Sequence, residues 1–345
     1  MTEPPQSMGD FDYDLPTSAI AQDPIEPRDR ARLLVDGGPG SDHEHRLVAD
    51  LVDYLGPGDL LVVNETRVIP ARLPLVKASG GAAEVLLLEP HGQGWWQALV
   101  RPGRRLAPGT ELSSERDPEV RVTVGEVLPD GRRLVEVFVA GLPVLDPPGT
   151  RALALAGEAP LPPYLQGASA APDRYQTVYA ATPGSVAAPT AGLHFTTELL
   201  GALTDRGVQI APVDLVVGLD TFRPVTVEDP SEHVMHTEHY SVPPATWEAC
   251  QAARRVVAVG TTTVRSLESA ARFGLSGRTD LFLRRGATFE VVDAMVTNFH
   301  LPRSTLLLLI DAFVGSRWRE LYRVALEEKY RFLSFGDAMF LRRWG

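Results

Sequence analysis

Three features of this sequence predict an α/β core carrying an inserted antiparallel β domain. The first is a rhythm after residue 205, where strand-like VQIAPVDLVV, RRVVAVG and EVVDAMV alternate with helix-like WEACQAA, TTTVRSLESAA and the apolar run from Leu306. Such a rhythm builds parallel strands with crossover helices and places sites at the strands' C-terminal ends. The second is a change of texture between about Arg72 and Arg151. There EVLLLE, WWQALV, VRVTVGEV and RRLVEVFV alternate between Gly, Pro and Asp turns, the pattern of a small antiparallel barrel or sandwich. The third is that α/β texture appears on both sides of that stretch. The expected organisation is a discontinuous core, 1–71 and 152–345, interrupted by an insert at 72–151.

Each element has its own reason. DFDYDLP is an extended start, and Pro16, Pro24 and Pro27 preclude a long helix after it. Arg28, Arg30 and Arg32 then either ring a site or face solvent. LVADLVDYL is amphipathic and helical, and PGDLLVVN feeds a buried strand ending in the polar cluster Asn64, Glu65, Thr66, Arg67. Trp95 and Trp96 are strand neighbours, so one of them faces the core. Thr196 or Thr197 caps the helix TELLGALTDRG. Pro302 ends a strand and Ser304 caps the apolar helix that follows. Thr297, Asn298 and His300 therefore sit at a strand-to-helix turn beside free backbone N–H groups.

Composition narrows the class. A chain of 345 residues can bury a large core. The acidic, polar start is unlike a signal peptide, and LLLLI is too short to span a membrane. A single cysteine, Cys250, excludes an internal disulfide and a cysteine-based metal cluster and fits a reducing cytoplasm. It falls in a helical stretch and reads as a quiet buried thiol. His233, His236 and His239 lie close together without HExxH or a further ligand, so no metal is expected. Net charge is −11, yet residues 251–345 hold 15 Arg plus Lys against 9 Asp plus Glu. That basic end can steer a polyanion, or it can be scattered solvated charge. No GxGxxG or GxxxxGK[ST] marks a nucleotide site.

Four loops repeat one pattern of small and polar residues with a ring or a guanidinium: NETRV, PTAGLHFT, GTTTVRSLE and TNFHLPRST, with YRFLSFGD as a fifth. Their common place at strand ends predicts one pocket. Its candidate lining is Arg67; Thr190, Gly192, His194 and Phe195; Thr261, Thr262, Arg265 and Glu268; Thr297, Asn298, His300 and Ser304; and Arg331 with Asp337. His194 and His300 can move protons near neutral pH. The turn after Gly260 offers N–H groups and hydroxyls to a carboxylate or ribose.

Together with DFDYDLPTSAIAQDPIEPRDRARLLV, LPPYL, RYQTVYA and VVDAMVTNFHLPRSTLLLLIDAF, these loops resemble the S-adenosylmethionine:tRNA ribosyltransferase-isomerase family of queuosine biosynthesis, nearly end to end. The resemblance implies a barrel-like α/β core with an inserted small β-barrel domain, acting in the cytoplasm as a monomer. It implies transfer and isomerisation of the ribosyl part of S-adenosylmethionine onto 7-aminomethyl-7-deazaguanine at the tRNA wobble position. Epoxyqueuosine, adenine and methionine are the products, with S-adenosylmethionine a co-substrate and no prosthetic group or metal. The implied steps are loss of a C5′ proton next to the sulfonium, departure of adenine, attack by the aminomethyl nitrogen and epoxide closure. His194 or His300 would move protons, Arg265 and Arg67 would hold a carboxylate or phosphate, and Thr261, Thr262, Asn298 and Asp337 would position sugar or base. The chain departs from the family in one loop: Val216 replaces a histidine and Asp220 a glycine in a segment usually reading HVGLGTF. Phe335 replaces a tyrosine and NETRV replaces NDTRV. Those departures and the acidic body leave a small-molecule acceptor as the alternative to tRNA, and a non-catalytic binding protein as a third reading.

Overall fold

The computed structural model describes residues 7–129, 131–144, 151–165, 172–218 and 225–344. The chain forms two compact units: Met1–Thr66 with Pro162–Thr182 and Ala188–Gly345, and Arg67–Leu161 with Pro183–Ala187. The first three strands, β1 (Arg32–Val35), β2 (Glu44–Leu47) and β3 (Asp59–Asn64), belong to the larger unit. The amphipathic run between β2 and β3 is a 3₁₀ segment, Val48–Asp53, where the sequence suggests a helix. Its Val48 and Leu51 are buried as the periodicity requires.

After β4 (Thr66–Val68), the smaller unit contains β5 (Arg72–Lys77), β6 (Ala82–Gly92), β7 (Trp95–Arg101), β8 (Glu111–Ser113), β9 (Val120–Val127), β10 (Arg133–Val139) and β11 (Leu142–Pro143). The order β10-β7-β6-β5-β8-β9 closes on itself through β9–β10, an antiparallel barrel of six strands with β11 at its side. Trp96 is buried and Trp95 half-buried, as alternation demands. At Gly125 an added Cβ would lie 2.6 Å from the Trp95 ring and 3.0 Å from the Leu134 carbonyl, so only glycine fits between them. A short helix α1 (Arg151–Ala156) and strand β12 (Thr182–Ser185), paired with β4, complete this region.

The larger unit continues with α2 (Thr197–Asp205), β13 (Gln209–Leu215), β14 (Glu238–Ser241), α3 (Pro244–Ala252), β15 (Arg255–Val259), α4 (Thr261–Phe273), β16 (Ser276–Thr279), β17 (Ala294–Asn298), α5 (Thr305–Val314), α6 (Trp318–Glu327) and β18 (Ala338–Arg342). Its nine-stranded sheet has the order β16-β14-β13-β3-β15-β17-β18-β1-β2. The four central strands, β13, β3, β15 and β17, run parallel. All residues of β3 and β17 are buried, which explains why they read as unbroken apolar runs rather than alternating ones. Thr196 caps α2 through Leu199 N–H and Ser304 caps α5 through Leu307 N–H. Cys250 is buried on α3, and burial pushes its thiol up to about 11.

Strand direction brings distant loops together. β18 is antiparallel to β17 and parallel to β1. The C-terminal end of β17, the loop before β18 and the segment before β1 therefore share one end of the sheet.

Candidate active site

The side chain of Asn298, the last residue of β17, ties that end together. Its Oδ1 accepts a hydrogen bond from the Thr190 hydroxyl at 2.9 Å. Its Nδ2 donates to the Leu333 carbonyl at 3.1 Å and to His194 Nε2 at 3.0 Å. Those partners fix the amide's orientation and with it the imidazole's tautomer. An Nε2 that accepts leaves the proton of the neutral ring on Nδ1.

His194 ends the buried 3₁₀ turn Thr190–His194 and is 4% exposed. Burial, then the positive charges of Arg331, Arg174 and Arg28, push its pKa down to about 3. The ring is thus neutral at physiological pH. It borders a narrow cleft lined by Pro24, Ile25, Arg28, Ala31, Arg174, Leu193, Arg331, Ser334, Phe335 and Gly336. Gly192 sits where an added Cβ would fall 2.0 Å from the Tyr179 hydroxyl and 2.8 Å from Thr177 Cγ2. Even alanine there would displace the tyrosine. The hydroxyls of Thr177 and Tyr179 are buried without a hydrogen-bond partner. A polar ligand would satisfy them.

Gly260, at φ +89°, makes the turn from β15 into α4, and its added Cβ would touch Ala191 Cβ at 3.5 Å. That close approach sets Thr261 and Thr262, both buried, beside the 190–194 turn. Thr262 Oγ1 is buried without a partner and so is available to a ligand.

The remaining sequence candidates have other duties in this structure. Arg265 projects from α4 into an ion pair with Glu238 and donates Nε–H to the Leu281 carbonyl. Glu268 accepts from the backbone N–H of Glu290, Val291 and Val292 at 2.8–3.1 Å and from Arg272 at 2.8 Å. Its carboxylate anchors the segment entering β17 and has no lone pair left for a substrate. Asp337 is fully buried and accepts from the N–H groups of Arg32 and Arg331 at 2.9 and 2.7 Å. It fastens the segments leading into β1 and β18, and burial raises its pKa. The Ser304 hydroxyl is occupied with the Leu301 carbonyl and the cap. Phe195 lies in the apolar core.

His300 also lies away from the cleft lining. Its Nε2 is 3.1 Å from the Thr297 hydroxyl, its N–H donates to Tyr322 Oη at 2.9 Å, and Tyr13 Oη donates to its carbonyl. Tyr13, Phe299, Trp318, Tyr322 and Phe332 form a continuous ring cluster around that segment. Burial alone pushes this imidazole down to about 3. Arg67 is exposed on β4 and belongs to the smaller unit. Val216 is half-buried and donates its N–H to the His239 carbonyl, while Asp220 lies outside the described residues. Among the described residues no group of three His, Cys, Asp or Glu is arranged to hold a metal ion, and no helix is long and apolar enough to cross a membrane.

Sequence reasoning missed Arg174, Tyr179 and Ser334 as lining or orphaned groups. The available signal was the dense polar and aromatic segment RYQTVYA.

Comparison with known proteins gives the same region a context. Residues 8–341 match the family model described as queuosine biosynthesis protein. The chain is 52% identical over 343 residues to the S-adenosylmethionine:tRNA ribosyltransferase-isomerase of Moorella thermoacetica, covering 96% of this chain and 98% of the other. It is 48% identical over 344 residues to the protein of that name from Thermotoga maritima, covering 97% and 99%. The crystal structure of a Thermotoga maritima S-adenosylmethionine tRNA ribosyltransferase superposes with a TM-score of 0.54 at 39% identity, covering 96% of this chain and 99% of that one.

Proposed function

The chain belongs to the queuosine biosynthesis protein family, and we infer that it works as an S-adenosylmethionine:tRNA ribosyltransferase-isomerase with its chemistry centred on the cleft beside His194. It transfers and isomerises the ribosyl moiety of S-adenosylmethionine onto the 7-aminomethyl-7-deazaguanine of tRNA, releasing adenine and methionine. The observation that carries the site assignment is the network of Thr190, Asn298, His194 and the Leu333 carbonyl, which joins three of the recurring loops at one strand end.

His194 is the proton-handling group in this reading. Asn298 holds Nε2, so Nδ1–H is the hydrogen-bond donor of the resting ring. A neutral imidazole that donates suits a leaving base or a developing oxyanion better than proton abstraction does. Proton abstraction would require a rise in its basicity on substrate binding. Thr262 and the hydroxyl of Tyr179 are positioning groups for sugar or base, and Arg331 supplies positive charge. His300 braces the loop between β17 and α5, so proton transfer rests on one histidine.

The tRNA substrate supports action in the cytoplasm, a monomer is the family expectation, and the reading needs no prosthetic group. Incubating the protein with S-adenosylmethionine and precursor-bearing tRNA should release adenine in amounts stoichiometric with modified tRNA. Adenine release that needs no tRNA and leaves the tRNA unmodified would defeat the assignment.

A further inference from the structure

Three guanidinium groups reach the His194 end of the cleft from separate segments: Arg28 just before β1, Arg174 from the turn Pro172–Tyr175, and Arg331 from the loop before β18. Each is oriented chiefly by backbone carbonyls. Arg28 donates to Gln176 O at 2.6 Å and Asp173 O at 3.3 Å, and Arg174 to Ile25 O at 3.0 Å. Arg331 donates to Asp23 O at 3.0 Å and Phe335 O at 2.9 Å. Carbonyl oxygens fix direction without neutralising charge. Glu26 pairs with Arg174 from the rim with its side chain 65% exposed, and both Asp337 oxygens are taken up by the backbone N–H groups of Arg32 and Arg331. Arg174 Nη1 and Arg331 Nε are buried without a hydrogen-bond partner. Desolvated cationic donors left unpaired are costly, and an anion placed among them relieves that cost.

The shape limits what enters. The cleft is narrow, and the three guanidiniums converge with His194 at one end of it, an arrangement that suits a single anionic group. Resting on the tRNA reading above, we propose that Arg28, Arg174 and Arg331 form a subsite for a single backbone phosphate of the RNA substrate, set directly against His194. The amino-acid end of S-adenosylmethionine is the poorer occupant. Its ammonium and sulfonium would both face three guanidiniums, whereas a phosphodiester brings negative charge alone and two free oxygens for forked donors. Burial is the main reason that His194 is unprotonated, and a phosphate seated there would offset the arginines' added share. Arrival of the RNA thereby prepares the ring to hold a proton.

The test uses the full chain and an anticodon stem–loop RNA carrying the precursor base, titrated by fluorescence anisotropy between 50 and 200 mM salt. Arg174→Gln should weaken RNA binding about tenfold and reduce the slope of log K against log salt by about 0.7, the value for one single-strand phosphate. Arg28→Lys, which keeps charge but loses the fork, should give a smaller loss at nearly the wild-type slope. Replacing loop phosphodiesters one at a time by uncharged methylphosphonate should reveal one linkage whose loss weakens the wild-type protein about tenfold and Arg174→Gln no further. In parallel, RNA binding should shift the titration of His194 upwards, followed by its ring signals in NMR. A folded Arg174→Gln protein with the wild-type salt slope would overturn the proposal, as would an equal loss of affinity for S-adenosylmethionine. Wild-type protein that releases adenine without binding RNA would overturn the tRNA reading and the subsite together. Wild-type RNA binding with no phosphate-sensitive linkage would sink the subsite alone.

Discussion

Two histidines of the larger unit, His194 and His300, hold rings of similarly low basicity for different reasons, and the difference separates a site from a scaffold. His194 faces a cleft whose three arginines add to the effect of burial. His300 is depressed by burial alone, within a cluster of aromatic rings. A ligand's charge can reverse the first effect and cannot reach the second. The neighbours differ in the same sense. Around His194, polar atoms of Tyr179, Thr262, Arg174 and Arg331 are left without partners, while around His300 the tyrosine hydroxyls are engaged with its own backbone.

Asn298→Ala sharpens the contrast most strongly. It frees the His194 ring and lets the tautomer change, and adenine release should fall by about a hundredfold, the scale of misplacing a catalytic group by roughly an ångström. Melting should change modestly, because the helix and strand on either side keep their own bonds. A mutant with wild-type turnover would remove the orienting role.

Glu268→Ala should show what a scaffold residue looks like. Three backbone N–H groups and Arg272 lose the acceptor of a fully buried carboxylate, costing about 3 kcal/mol of stability in urea unfolding. Activity per folded molecule should stay close to wild type. A stable variant with impaired S-adenosylmethionine binding would return Glu268 to the site.

Within the window from pH 7 to 5, the effect on acid stability is smaller. Both rings have folded pKa values near 3 against an ordinary 6.5, so between those limits the unfolded chain binds protons that the folded chain does not. Stability is therefore fully present above about pH 6.5 and is lost as pH falls towards 3, by up to about 1.4 kcal/mol per pH unit for each ring. Asp337, with a raised pKa, opposes this in the acid part of the window. The dependence should weaken in His300→Gln measured by urea unfolding at pH 7, 6 and 5, and a variant as acid-sensitive as wild type would show that His300 does not titrate this way.

The sequence makes part of this comparison legible. Buried strands β3, β15 and β17, the caps at Thr196 and Ser304 and the closed antiparallel insert follow from local pattern, because apolar runs, hydroxyls before helices and alternation are nearest-neighbour signals. The polar loops at strand ends point to Thr190, His194 and Asn298, which the structure joins by hydrogen bonds, and to Arg331, which lines the cleft beside them. They do not separate His194 from His300, since the same TNFHLP loop supplies Asn298 to the cleft and His300 to the aromatic cluster. Arg265, Glu268 and Asp337 look like site residues for a related reason: a buried charge with a structural partner and a buried charge with a substrate read alike along one chain. The convergence of Arg28 and Arg174 on Arg331 depends on β1 running parallel to β18, a long-range pairing that leaves no local mark.

Comparing His194→Gln with His300→Gln tests the central claim most directly, through single-turnover adenine release at saturating S-adenosylmethionine and precursor-bearing tRNA, corrected for the folded fraction. The expected result is a loss of about 10²–10⁴ for His194→Gln, the span of a removed proton-handling group, against less than about tenfold for His300→Gln. The reverse order, with His194→Gln turning over near the wild-type rate and His300→Gln inactive though cooperatively folded, would place the chemistry in the aromatic cluster and contradict the account.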